Sequence, residues 1–208
     1  MSTQTPSRRY TSPTRKAAAE ATRRAVLSAA RTVFTKAGYA TSTIESVANA
    51  ASVSVPTVYA IFGSKAGLLS ALLADAGSDQ DIRAIAGAAL AETIPARRLA
   101  AAAKVVRTIM QREQSILAVL REAGSGSAEL EAARRQVHRQ QRTALARVVK
   151  PLAEARKLRA GQTASDATAT FAALASPECY AYFVEEMGWS AARWERWLAD
   201  AANRLLLA

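Results

Sequence analysis

Three helix-start signals fall between Ser42 and Ser64, and they leave room there for only two short helices. Ser42-Thr43-Ile44-Glu45 fits a capping box, in which the Ser hydroxyl and the Glu carboxylate satisfy reciprocal free backbone N–H groups. The helix it opens turns Ile44, Val47 and Ala48 inward and ends near Ala51. About three residues later Ser54 caps a second short helix, Val55 to Ile61, with Pro56 in the first turn, where its missing N–H costs nothing. Ser64 caps the next, Lys65 to Ala76, which carries Leu68, Leu69, Leu72 and Leu73 on one side before Gly77 and Ser78. Two short helices joined by so tight a turn form a helix-turn-helix, which presents its second helix to a major groove.

Upstream, Val26, Ala29, Ala30, Val33, Phe34 and Ala37 recur at helical spacing and stop at Gly38, a residue suited to the position after a helix. Downstream, helical stretches are separated by breaks at Thr93-Ile94-Pro95, Gly124 to Ser127, around Pro151, at Gly161, at Ser176-Pro177 and at Gly188. No segment alternates apolar and polar residues for long enough to make a strand. Alanine, about a quarter of the chain, favours helix because it loses no side-chain entropy there. The expected fold class is all-α, with an N-terminal domain of three or four helices over 15–76, its helix-turn-helix at about 43–62, and a larger helical domain over 77–208. Residues 1–14, rich in Ser, Thr and Pro and carrying Arg8 and Arg9, are expected to form a disordered basic arm.

The charge is uneven. The chain carries a net +11, distributed as +6 over 1–76, +2 over 77–127, +6 over 128–165 and −3 over 166–208. A polyanion reader at one end with a different task at the other would look like this. One Cys and one His exclude an internal disulfide framework and a Cys/His zinc cluster. Cys179 is expected to behave as a small buried hydrophobe. No grouping of Asp, Glu, His or Cys and no Gly-rich loop offers catalytic chemistry, so no enzyme activity, metal or cofactor is expected. No apolar run of 18 residues or apolar leader is present, which suggests a soluble cytoplasmic protein with no membrane partner.

Thr43-Ile44-Glu45-Ser46-Val47-Ala48, then Val53 through Phe62, then Ser64-Lys65-Ala66-Gly67-Leu68-Leu69 follow one another at fixed spacing. This order resembles the DNA-binding domain of the tetracycline-repressor-like (TetR) family of bacterial transcriptional regulators. The likeness extends upstream through the pattern set by Ala29, Ala30, Phe34, Gly38 and Tyr39, so that it covers about residues 20–80. One departure is Ser52, where the family usually has glycine in the turn. The resemblance implies DNA contacts at Thr43, Ser54, Val55, Pro56, Thr57, Tyr59 and Lys65. Chemically, Thr43 and Lys65 suit phosphates, Val55 and the Thr57 methyl suit thymine methyl groups, and the Tyr59 hydroxyl suits a phosphate.

No aromatic residue falls between Gly63 and Thr170, whereas Phe171, Tyr180, Tyr182, Phe183, Trp189, Trp194 and Trp197 lie close together. Such density builds a core or an interface. The layout resembles the C-terminal region of many TetR-like regulators and implies a homodimer through 163–206, with Phe171, Tyr180, Phe183, Trp194 and Trp197 at the contact. The same resemblance implies an effector pocket within 79–160, for which Arg107, Met110, Gln111, Gln114 and Leu117 are candidates. The lack of aromatics there argues against a stacked planar cation, and Arg107, Gln111, Arg112 and Gln114 suit a polar or anionic head. The basic run from Arg134 to Arg159, with His138 inside it, reads as a solvated face, an acidic-ligand site or an auxiliary attraction to DNA. The function expected is a ligand-responsive transcriptional regulator, a repressor that binds a palindromic double-stranded DNA operator as a dimer, close to the nucleoid, and is released by a small-molecule effector. The rival is an architectural nucleoid protein that uses the same helix-turn-helix without a ligand.

Overall fold

The computed structural model describes residues 13–75, 79–122 and 128–208. The expected arm, apart from residues 13 and 14, and the breaks at Gly77-Ser78 and Gly124 to Ser127 lie outside the described residues. The rest is all-α: α1 (Pro13–Ala37), α2 (Ile44–Ala50), α3 (Val55–Phe62), α4 (Lys65–Asp75), α5 (Gln80–Ala91), α6 (Pro95–Glu122), α7 (Ala128–Glu154), α8 (Ala164–Leu174), α9 (Pro177–Ala181) and α10 (Ala191–Leu206). A π-helical turn, Tyr182–Glu186, continues α9. No single helix among the described residues is long and apolar enough to cross a membrane.

The first four helices close over one core. Val26, Ala30 and Phe34 of α1, Val47 of α2, Val58 of α3 and Leu68, Leu69 and Leu72 of α4 are all buried. Each large apolar side chain so enclosed contributes about 1.5–3 kcal/mol. Val58 is the one fully buried residue of α3, with Val55 and Phe62 half-buried against the same core, while Ser54, Pro56, Tyr59 and Ala60 stay open. The Arg23 guanidinium of α1 stands 5.1 Å over the Phe62 ring and steadies the far end of α3.

The caps fall largely where the spacing places them. Ser54 Oγ accepts from Thr57 N, Ser64 Oγ from Gly67 N, and Ser190 Oγ from Arg193 N. At α2 the capping box sits one residue later than expected, between Thr43 and Ser46 and not Ser42 and Glu45. Thr43 Oγ1 accepts from Ser46 N at 3.1 Å, and Thr43 N donates to Ser46 Oγ at 3.2 Å. Ser42 is instead buried and donates its hydroxyl to Gly38 O at 2.6 Å, serving a carbonyl at the end of α1 that the helix itself leaves unpaired. α1 also begins at Pro13, inside the stretch expected to be an arm.

In the larger domain α6 is the central rod, packed on α5, α7 and α10, while α7 joins α4 to α8. Leu99, Ile116, Val149, Phe171, Trp194, Leu198 and Leu206 form its buried interior. The break expected around Pro151 comes three residues later, after Glu154, and Pro151 itself is still helical. It lies inside α7, where it lacks the N–H that would pair with Arg147 O. Arg98, in the first turn of α6 and only 8% exposed, supplies the missing donor. Its Nη2 reaches Arg147 O at 3.3 Å, its Nε reaches Val148 O at 2.9 Å, and its Nη1 reaches Leu90 O at 2.9 Å and Glu92 O at 2.8 Å at the end of α5. One guanidinium thus ties three helices together through backbone carbonyls that need a partner.

At the other end of α5, the Asp79 carboxylate caps the helix by accepting from Asp81 N and Ile82 N. Arg112 of α6 pairs with it at 2.6 Å, and this contact first, with the two backbone donors, holds the Asp79 carboxyl below its usual value.

Arg98→Met leaves buried carbonyls without donors and should lower unfolding stability by about 3 kcal/mol. In a Pro151→Ala background the N–H at 151 is restored, so the same substitution should cost about 1 kcal/mol less. Urea denaturation of the four proteins measures this, and equal losses in both backgrounds would dismiss the link between Arg98 and Pro151.

Candidate nucleic-acid interface and ligand cavity

The turn between α2 and α3 ends the first helix by two paired hydrogen bonds, Ser52 N to Asn49 O at 3.1 Å and Val53 N to Ala48 O at 3.0 Å. This is a Schellman arrangement, and it requires a left-handed residue at its corner. That residue is Ser52, at φ 55°, where a side chain costs about 1 kcal/mol that glycine does not. The departure from glycine noted in the sequence therefore changes the strain of the turn and not its shape.

α3 presents Ser54, Pro56, Tyr59 and Ala60 to solvent, with Tyr59 at 48% exposure. Val55 is half-buried against the head's core, so only part of its side chain is free to meet a base. The Thr57 hydroxyl lies 2.7 Å from Ser54 Oγ, which orients it in the first turn, where side chains reach base edges. Thr43 spends its backbone N–H on Ser46 Oγ and its acceptor on Ser46 N; its hydroxyl hydrogen remains for a phosphate.

Lys65 begins α4 with its ammonium 4.3 Å over the Tyr39 ring and 3.4 Å from Ala40 O. Partial burial lowers its pKa from the ordinary lysine value. It is thus held on the loop that leads into α2, with donors to spare for a phosphate. Gly67 sets the approach of α4 to α3: a Cβ there would lie 2.1 Å from Phe62 O. Any larger residue would push the second helix of the pair off its support.

A second concavity of about 280 Å³ lies between α4, α5, α6 and α7, with Pro177 closing one side. Of the five residues expected to line it, Met110 and Leu117 do. Arg107, Gln111 and Gln114 do not. Arg107 hydrogen-bonds Glu195 of α10 and also Gln111, and Gln111 and Gln114 are exposed. Arg112 is committed to Asp79 and Asp81. The helical turn decides this, because 106, 110, 113 and 117 share one stripe of α6 while 107, 111 and 114 share another. The polar residue on the cavity stripe is Glu113, 6% exposed. Its spacing from Met110 and Leu117 was the signal that would have found it. Arg147 and Gln140, both exposed, stand on the rim.

The aromatic cluster divides. Phe171, Tyr180 and Trp194 are enclosed within the single chain, Tyr180 meeting Trp194 edge-on at 4.9 Å. They are core residues and cannot form an outer contact, which corrects the expectation. Phe183 and Trp197 are half-buried and meet tilted at 4.5 Å between ring centres, with Trp189 alongside. Tyr182 and Met187, both 55% exposed, lie beside them. Cys179 is half-buried, not fully enclosed, and burial pushes its thiol pKa up. In the basic run, Arg134 and the exposed His138 both face Glu178, Arg135 pairs with Glu131 and Lys150 with Glu154.

Residues 26–72 match the family of bacterial regulatory proteins named tetR. No curated protein is recognisably similar in sequence. Among solved structures the fold is similar to NalD, the secondary repressor of the MexAB-OprM multidrug efflux pump in Pseudomonas aeruginosa, at 21% identity over 92% of this chain and 98% of that one, with a TM-score of 0.67. It is similar to the regulator FadR of Bacillus subtilis, solved with stearoyl-CoA, at 15% identity over 86% and 96%, TM-score 0.69. It is also similar to SmeT, solved with triclosan, at 16% identity over 90% and 92%, TM-score 0.67. These likenesses concern the fold.

Ser52→Gly should raise unfolding stability by up to about 1 kcal/mol by removing the side chain from the left-handed corner; a loss of stability in thermal or urea unfolding would contradict the strain. On a DNA site obtained by selection from random duplexes, Thr57→Ala should weaken the selected site more than random DNA. Lys65→Ala should weaken both alike and reduce the slope of log affinity against log salt by about 1. Indistinguishable effects of the two variants would count against these roles.

Proposed function

We propose that this chain, whose residues 26–72 match the tetR family of bacterial regulatory proteins, is a ligand-responsive transcriptional regulator, a repressor that binds a palindromic operator as a homodimer and is released by a small molecule. The observation that carries this reading is that α4 belongs to both sites. Its first turn holds Lys65 and abuts α3 at Gly67, Leu68, Leu69 and Leu72 sit in the head's core, and Leu73 forms part of the cavity wall. A molecule that fills the cavity presses on the helix that supports the DNA-reading element. Differential affinity for two positions of α4 is all that such a switch requires.

The cavity speaks for the ligand-responsive reading over the architectural one, since a protein that only shapes DNA has no use for a largely apolar enclosure. Repression is proposed by likeness of fold to NalD, and a small-molecule ligand by likeness to the structures of FadR and SmeT with bound molecules. A single recognition helix reads few base pairs, so a palindromic site needs a two-fold partner whose helix lies about 34–36 Å away or a multiple of it. The exposed Tyr182 and Met187, next to Phe183 and Trp197, are the apolar surface proposed for that contact.

In analytical ultracentrifugation at micromolar concentration the chain should sediment as a dimer. Tyr182→Asp combined with Met187→Asp should shift it toward monomer and abolish a paired footprint on the selected DNA site. A wild-type monomer would overturn the dimeric reading, and protection without sequence preference would restore the architectural one.

A further inference from the structure

The reading head and the cavity meet at one ion pair. Glu113 lines the cavity on the α6 stripe, and its side chain is 8% exposed. Arg31 of α1 brings Nη1 to 2.7 Å from Glu113 Oε2. No N–H is aligned on that oxygen, which is fully enclosed and has no hydrogen-bond partner. The contact is therefore an ion pair that leaves the carboxylate short of directed donors. The Arg31 side chain is 36% exposed, so water is available to the guanidinium if it lets go, while Glu113 Oε2 itself has no exposed surface. Burying a carboxylate is costly unless a positive or hydrogen-bonding group meets it.

Apart from Glu113, the wall of the cavity is mostly aliphatic, with Met110, Leu117, Ile109 and Val106 prominent. Its charged neighbour, Arg147, sits exposed at the rim. An anionic head drawn inward would be repelled by Glu113, and a neutral molecule would leave Oε2 with the Arg31 ion pair and no directed hydrogen bond. We propose that the cavity takes an organic cation on an apolar body, whose ammonium donates to Glu113 and displaces Arg31, thereby loosening α1 from α6. The proposal rests on the reading of the cavity as the effector site and adds its ligand class and the contact through which it acts. It reverses the sign of the head group expected from Arg107, Gln111, Arg112 and Gln114, because none of those four lines the cavity.

The competition has a reciprocal side: whatever strengthens the pairing of Arg31 with Glu113 weakens the cation, and the reverse. Replacing Arg31 should therefore improve binding of the ligand even though Arg31 lies on the DNA-reading head. A merely structural role for Arg31 would not produce a gain.

Isothermal titration of the full-length protein with n-decylamine, n-decanol and decanoate, below their micellar concentrations, tests this. The amine should bind at least about tenfold more tightly than the alcohol, and decanoate most weakly. Glu113→Gln should remove the advantage of the amine while leaving the alcohol unchanged, and Arg31→Met should strengthen amine binding severalfold. Decanoate binding as tightly as the amine would overturn the cationic class while leaving the cavity as the effector site. Failure of all three probes to bind would sink both readings. An Arg31→Met protein that binds the amine no better than the wild type would overturn the competition, and its unfolding curve in urea shows whether the variant is folded.

Discussion

The guanidinium of Arg98 is the joint on which the larger domain depends. A proline in the last turn of α7 leaves one carbonyl unpaired, the end of α5 leaves others, and a single buried cation from the start of α6 serves them together. Backbone carbonyls are partial charges, and several of them around one cation make burial tolerable without an opposing carboxylate. Those three helices are also walls of the cavity, so the interaction that repairs the α7 backbone joins the elements that enclose it.

From that joint the larger domain reaches the first four helices through two contacts. α4 lends one face to the core of the first four helices and its last turn to the cavity, so the two share one helix. Arg31 and Glu113 make a second, polar tie between α1 and α6. The packed contact transmits displacement because close-packed interiors do not compress. The polar contact is different in kind: it can be exchanged for another partner, and exchange is what a ligand with a charge of the right sign offers.

Much of the head was legible in the sequence. Ser54, Pro56 and Ser64 mark helix starts by their own backbone chemistry, and the stripe from Val26 to Phe34 turned out to be core, because these signals involve only residues a turn or so apart. Errors arose wherever two readings were locally equal. Ser42 and Thr43 are both good caps, and what separated them was the unpaired Gly38 carbonyl at the end of α1, which claimed Ser42. Pro151 is a helix breaker by its own chemistry, yet α7 runs one turn beyond it, and Arg98, from another helix, donates to the Arg147 carbonyl that it cannot serve.

The sequence by itself determined an all-α chain and a helix-turn-helix at its expected place, with the caps that start α3 and α4. Periodicity and capping depend on neighbours within a few positions, which are present in any conformation. Only the tertiary structure decided which stripe of α6 faces the cavity, that Phe171, Tyr180 and Trp194 are interior, and that Glu113 meets Arg31. Those outcomes turn on how whole helices rotate against one another, a rotation set by the summed packing of the entire core and not by any segment that could be read alone.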